Sequence, residues 1–174
     1  MRITGQTIRD FLDKQHQHIT HYVVAQSFYR PYHKLPKDIE QMKLNLGKDL
    51  RHARNCFSKE LYGNGARRKP QLYQPLFIPT LEGTKNTANP LLTLHYNIYL
   101  GNLQKILTTE DIKELWTYCW VEKAHQKNDI YIAEAIANTQ SHLLYYGTKE
   151  TQIGNLSCWD FENTQIPYSA LNID

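Results

Sequence analysis

The stretch from Pro36 to Leu61 constrains the fold more than any other. Ile39, Met42, Leu46, Leu50, Ala53, Phe57 and Leu61 recur at three- and four-residue steps, which lays one apolar stripe along a long helix. Such a stripe must lie against a sheet or another helix. Pro36 stands where a first helical turn tolerates it, and Gly63-Asn64-Gly65 supplies a C-terminal stop. The remaining faces carry Lys37, Lys43, Lys48, Arg51, Arg54 and Lys59, a basic surface of the kind that is usually only solvated.

The elements around this helix read as strands and shorter helices. Residues 1–17 suggest a short helix or lead-in around Ile8, Phe11 and Leu12. Ile19 to Phe28 is β-branched and aromatic enough for a buried central strand. Leu76 to Leu81, ending in Glu82, and Leu92 to Leu100 read as two strands folded back on each other through Gly83, Asn86, Asn89 and Pro90. Thr108 with Asp111 forms a capping box for a helix through Trp116, Trp120 and Lys123. Asp129 to Ile136 alternates as a fourth strand, with a helix through the alanines as the competitor, and residues 138–150 read as a last helix. The order strand, helix, strand, strand, helix, strand, helix predicts an α+β fold: an antiparallel sheet of four to five strands with helices on one face and the other face left for a ligand. At 174 residues the chain is one domain over 1–150 plus a tail over 151–174 that covers the sheet or is loosely held.

The composition, 41% hydrophobic and 21% charged, is that of a globular protein, and no apolar run is long enough to span a bilayer. The first fifteen residues hold no apolar h-region, so the expectation is a cytoplasmic protein without a secretory signal or membrane partner. Cys56, Cys119 and Cys158 are too few and too scattered for a disulfide framework or a thiolate zinc site. His16, His18 and His21 cluster, but without companions at zinc-finger spacing. A formal charge of +3 permits a polyanionic partner, and the twelve tyrosines include candidates for stacking on unpaired bases.

Three segments carry candidate chemistry. In the strand from Leu92 to Leu100, residues two apart share a face, so His95 and Asn97 point one way and Tyr96 the other. The hairpin brings Glu82 beside them, and one nitrogen with two oxygens suits Mg²⁺ or Mn²⁺. Against this stands the commoner role of a strand histidine as a hydrogen-bonded core or surface residue. Tyr146 and Lys149, three apart on the 138–150 helix, share a face. Arg30 to Lys34 forms a basic aromatic loop, and Arg67, Arg68 and Lys69 form the densest positive patch, both suited to phosphates.

Glu82, the His95-Tyr96-Asn97 strand and Tyr146-Gly147-Thr148-Lys149 together resemble the motifs of HUH-type endonucleases, and more narrowly the rolling-circle replication initiators of small plasmids and filamentous phages. The resemblance runs from about Ile19 to Glu150, and it implies an RRM/ferredoxin-like catalytic domain in a bacterial host cell. It implies a Mg²⁺ or Mn²⁺ ion on Glu82, His95 and Asn97, and Tyr146 as the nucleophile of single-strand nicking and joining, with Lys149 assisting. Asn97 stands where the signature has a second histidine; some members carry Gln or Asn there, and a neutral oxygen still coordinates Mg²⁺ or Mn²⁺. Tyr145 is the competing nucleophile, about 100° round the helix, and His142 is a further candidate base. The implied partners are single-stranded or hairpin DNA and a host helicase, since the chain has no Walker loop of its own. A relaxase or single-tyrosine transposase of the same superfamily shares these parts. A non-catalytic RNA- or DNA-binding sheet is the alternative of another class, although the glycine-aromatic signature of such domains is missing from Leu92 to Leu100.

Overall fold

The computed structural model describes residues 4–85, 87–135 and 156–170. In chain order these form α1 (Gly5–Gln15), β1 (Ile19–Gln26), α2 (Pro36–Tyr62), α3 (Asn64–Arg68), β2 (Leu76–Glu82), β3 (His95–Gly101), α4 (Thr109–Thr117) and β4 (Ile130–Glu134). The four strands make one antiparallel sheet in the order β2-β3-β1-β4. The fold is α+β, as the order of apolar patterns predicts. The helix expected over 138–150, with Tyr145, Tyr146 and Lys149, lies outside the described residues, as does His142.

Each face of the sheet has its own core. On one face the stripe of α2 (Leu46, Leu50, Ala53, Phe57, Leu61) packs with Trp116 and Trp120 over Val23, Ala25, Tyr96, Ile98 and Leu100. The two indoles stack at 6.0 Å, and Phe57 meets Trp116 edge-on at 5.4 Å. After the Thr108–Asp111 capping box, α4 widens into a π-helical turn over Tyr118–Lys123. On the other face Ile8 and Leu12 of α1, with Trp159 and Ala170, cover Ile19, Tyr22, Leu76, Ile78 and Tyr99. A register shift between Ile19 and His21 lets both Ile19 and Tyr22 reach this second core while His21 faces Thr109.

Several sequence expectations change in physical detail. The strand expected from Leu92 begins at His95, because Leu94 pairs instead with the loop beyond β1: its N–H donates to Tyr29 O (2.8 Å) and its carbonyl accepts from Ser27 N (3.1 Å). β1 stops at Gln26 rather than Phe28, whose N–H is taken by the Gln126 side chain (3.2 Å). β4 is the shorter Ile130–Glu134, not Asp129 to Ile136. Gly63, at φ 56°, ends α2 as the Gly63-Asn64-Gly65 stop predicts, and Asn64–Arg68 then turns helical again, so the stop is also a corner between two helices. Helices also lie on both faces, so part of the face expected to stay open is covered by α1 and the stretch 156–170.

That C-terminal stretch closes the outer edge of β2. Phe77 and Gln165 exchange both backbone hydrogen bonds (2.9 and 2.8 Å), and Asp160 N donates to Pro79 O (3.2 Å). Phe77 and Pro79 share the outward parity, so the donor that proline lacks falls on the edge side, away from β3. No helix among the described residues is long and apolar enough to cross a membrane.

Candidate metal centre

The registers of β2 and β3 pair Glu82 with His95 and Thr80 with Asn97, so Glu82, His95 and Asn97 share one face at the end of the sheet remote from Leu76. Glu82 is 1% exposed and Asn97 fully buried, while the His95 side chain keeps 13% of its surface. Glu82 Oε2 and His95 Nε2 are 3.3 Å apart. On the other side of the ring, His95 Nδ1 lies 3.2 Å from the Thr93 carbonyl. A carbonyl only accepts, so Nδ1 carries the proton, and a neutral ring presents the bare lone pair of Nε2 to a carboxylate oxygen. Two acceptors at that distance require a shared proton or a cation between them.

The spacing fits a cation. Two ligands about 2.1 Å from an ion are ~3.0 Å apart at a right angle, as for octahedral Mg²⁺, and ~3.4 Å apart at a tetrahedral angle, as for metals bound by imidazole. The carbonyl behind Nδ1 is also the outer-shell partner that fixes a metal-binding imidazole. Asn97 Oδ1 accepts from Tyr22 Oη at 2.6 Å, whereas its Nδ2 has no hydrogen-bond partner. The two amide orientations occupy the same space, so the reversed one has Nδ2 donate to Tyr22 Oη and frees Oδ1 as a neutral ligand. Among the described residues no three His, Cys, Asp or Glu side chains gather in one place, His16, His18 and His21 included. The pair therefore depends on the amide of Asn97 and on substrate or water oxygens to complete a shell.

Three neighbours escape sequence reasoning. Tyr22, in β1, orients Asn97; Gln26 is the β1 partner of His95 and accepts from Thr93 Oγ1 at 2.6 Å; Trp120 Nε1 pins the Gln26 carbonyl at 2.9 Å. Alternation in Ile19 to Gln26 puts Tyr22, Val24 and Gln26 on one face, but only the strand order says that this face adjoins His95 and Asn97. Tyr131 of β4 is a fourth. It pairs with Val24, which pairs with Asn97, so this 60% exposed phenol stands two strands from the site, about 10 Å at the usual spacing.

Other groups are set aside by their surroundings. Tyr96 points to the α2 face, donates to Asp160 Oδ2 at 2.8 Å, and is raised well above an ordinary phenol by burial and by that carboxylate. Burial, with Cys56 and Glu60 adding, pushes the Cys119 thiol up to about 12, which excludes it as a nucleophile. Cys56, Cys119 and Cys158 form no disulfide among the described residues. Arg30 and Lys34 are exposed just beyond β1, at the His95 end of the sheet. Arg67, Arg68 and Lys69 are exposed at the Leu76 end, about 20 Å away along β2. Compared with family models, with curated proteins and with solved structures, the chain gives no match in any of the three.

Proposed function

We propose that the chain is a metal-dependent single-strand DNA nickase and ligase of the HUH type, of the kind that opens rolling-circle replication of a small plasmid or filamentous phage. The observation that carries this reading is the Glu82–His95 pair, with imidazole Nε2 and a carboxylate oxygen 3.3 Å apart and the Asn97 amide on the same face. The succession β1, α2, β2, β3, α4, β4, with β1 and β3 central, supports the ferredoxin-like arrangement that such a catalytic domain requires.

A Mg²⁺ or Mn²⁺ ion held by Glu82, His95 and Asn97 would neutralise charge on the scissile phosphate. Tyr146 attacks phosphorus: the phenol oxygen–phosphorus bond forms, the bond to the 3′ oxygen breaks, and the phenol proton ends on that oxygen. The product is a 5′-phosphotyrosine with a free 3′-OH, and because the ester keeps the bond energy, the reverse attack rejoins the strand. Lys149 offsets charge on the phosphate or the phenolate. Arg30 and Lys34, at the same end of the sheet, are the nearer of the two basic groups to receive the strand.

The test is incubation with labelled single-stranded oligonucleotides and Mn²⁺, followed by a denaturing gel. A covalent adduct is expected in wild type, in Tyr145→Phe and in Tyr131→Phe, and is lost in Tyr146→Phe and on adding EDTA. An adduct that survives EDTA, or that Tyr131→Phe or Tyr145→Phe alone abolishes, overturns the assignment. Oligonucleotide binding with no adduct under any metal leaves a non-catalytic clamp.

A further inference from the structure

At the Leu76 end of the sheet, the last turns of α2, the Gly63 corner, α3 and the strip at Gln165 enclose a cavity of about 590 Å³. Its lining holds two cations, Lys59 and Arg67, and no carboxylate. Beside Gly63, Ala66 and Pro70, the lining carries the polar side chains of Asn55, Ser58, Asn64, Gln74 and Gln165. Ser58 is 6% exposed, and its hydroxyl has no partner, although a serine inside a helix ordinarily bonds a carbonyl one turn back. Gln165 Oε1 is likewise buried without a partner, on a backbone that two hydrogen bonds to Phe77 hold rigid. Arg54, itself tied to the Asn163 carbonyl at 2.9 Å, takes Asn55 Oδ1 at 3.1 Å and leaves the Asn55 NH₂ as a donor. Gln74 Nε2 is spent on the Ile166 carbonyl (3.1 Å), which leaves its Oε1 as an acceptor.

Buried polar atoms without partners are rare unless something outside the chain completes them. Here the donors (two cations, an amide, a hydroxyl) sit with two amide acceptors in a space of ligand size. Donors and cations match phosphate oxygens, and amide acceptors match hydroxyl groups. The C-terminal end of α2 opposes an anion with about half a charge, against the two full charges of Lys59 and Arg67, and its carbonyls are partly occupied, Gly63 N donating to Lys59 O at 2.6 Å. We propose that this cavity binds a sugar–phosphate unit, the group that a nucleic-acid strand and a free nucleotide have in common. It lies about 20 Å from Glu82 and His95 along β2, so it is a second site that rests on its own side chains and not on the nicking reading.

The test is a backbone-amide NMR titration of the whole chain with inorganic phosphate, a deoxynucleoside 5′-monophosphate and a short single-stranded oligonucleotide. The nucleotide is expected to move the amides of Ser58, Gly63, Arg67 and Gln165 and leave those of Glu82, His95 and Asn97 in place. Arg67→Gln, at an exposed position that leaves the fold intact, should weaken the binding about tenfold, and Ser58→Ala should weaken it in the same sense. Nucleotide and oligonucleotide binding alike, or the oligonucleotide alone with a salt slope that Arg67→Gln reduces by about 0.7, supports the site and names the strand as the source. Tight binding of the nucleotide alone supports it with free nucleotide as the source. Phosphate shifting these amides as strongly as the nucleotide does, affinity unchanged in Arg67→Gln, or no shifts at all overturns the proposal. Glu82→Gln, which removes the metal pair, leaves this binding intact, so the two readings fail separately.

Discussion

His21 is buried at the start of β1, with Nδ1 3.0 Å from Thr20 Oγ1 and Nε2 3.3 Å from Thr109 Oγ1, and Glu134 is its partner across β4. Burial lowers its pKa, and Glu134 opposes that shift only in part. The unfolded chain therefore binds this proton more readily than the folded one, and stability falls as the pH drops below about 6.5 until the folded imidazole also titrates. Urea unfolding over a series of pH values should show that loss in wild type and a flatter profile in His21→Gln. His95 differs from His21 in what its ring nitrogen touches: a carboxylate oxygen at 3.3 Å, where both ring nitrogens of His21 meet hydroxyls. That contrast was half legible in the sequence. Period-two alternation puts His95 and Asn97 on one face, and the turn residues between the hairpin strands bring Glu82 across. Tyr22 was not legible as a site residue, because the strand that flanks β3 is chosen by the topology and not by any local pattern.

Among the elements, α2 and the capping box at Thr108 were plain from spacing, since both are read within one or two helical turns. The stretch 156–170 was opaque. It holds three short 3-10 turns and two isolated bridges, none long enough to repeat a pattern, yet it shields the edge of β2. Trp159 anchors it, 4.7 Å from the Phe11 ring and 3.9 Å from Phe161, with Nε1 donating to Thr164 Oγ1 at 3.0 Å. Trp159→Ala should cost about 3 kcal/mol in urea unfolding. With the edge uncovered, it should also raise light scattering on incubation, because an exposed strand edge recruits further strands. A variant as stable as wild type and scattering no more light would show that the strip is decoration.

On the scale of the whole molecule, the sheet is a partition between two apolar clusters, and the Glu82 end of one face is where the second cluster gives way to polar groups. The proposed ion would tie β2 to β3 and bind only the folded chain, so Mn²⁺ at a hundred times its dissociation constant should add about 2.7 kcal/mol of stability. The thermal midpoint should rise with Mn²⁺ in wild type and stay level in Glu82→Gln. Equal rises in both would place the ion elsewhere.

Tyr22 belongs to both halves of that face at once: its ring packs under Ile8 and Leu12, and its hydroxyl grips the amide of Asn97. The N-terminal helix thus has a mechanical line to the site without touching it. Loosening that helix would let the phenol drift, and the amide would lose the hydrogen bond that holds it in place.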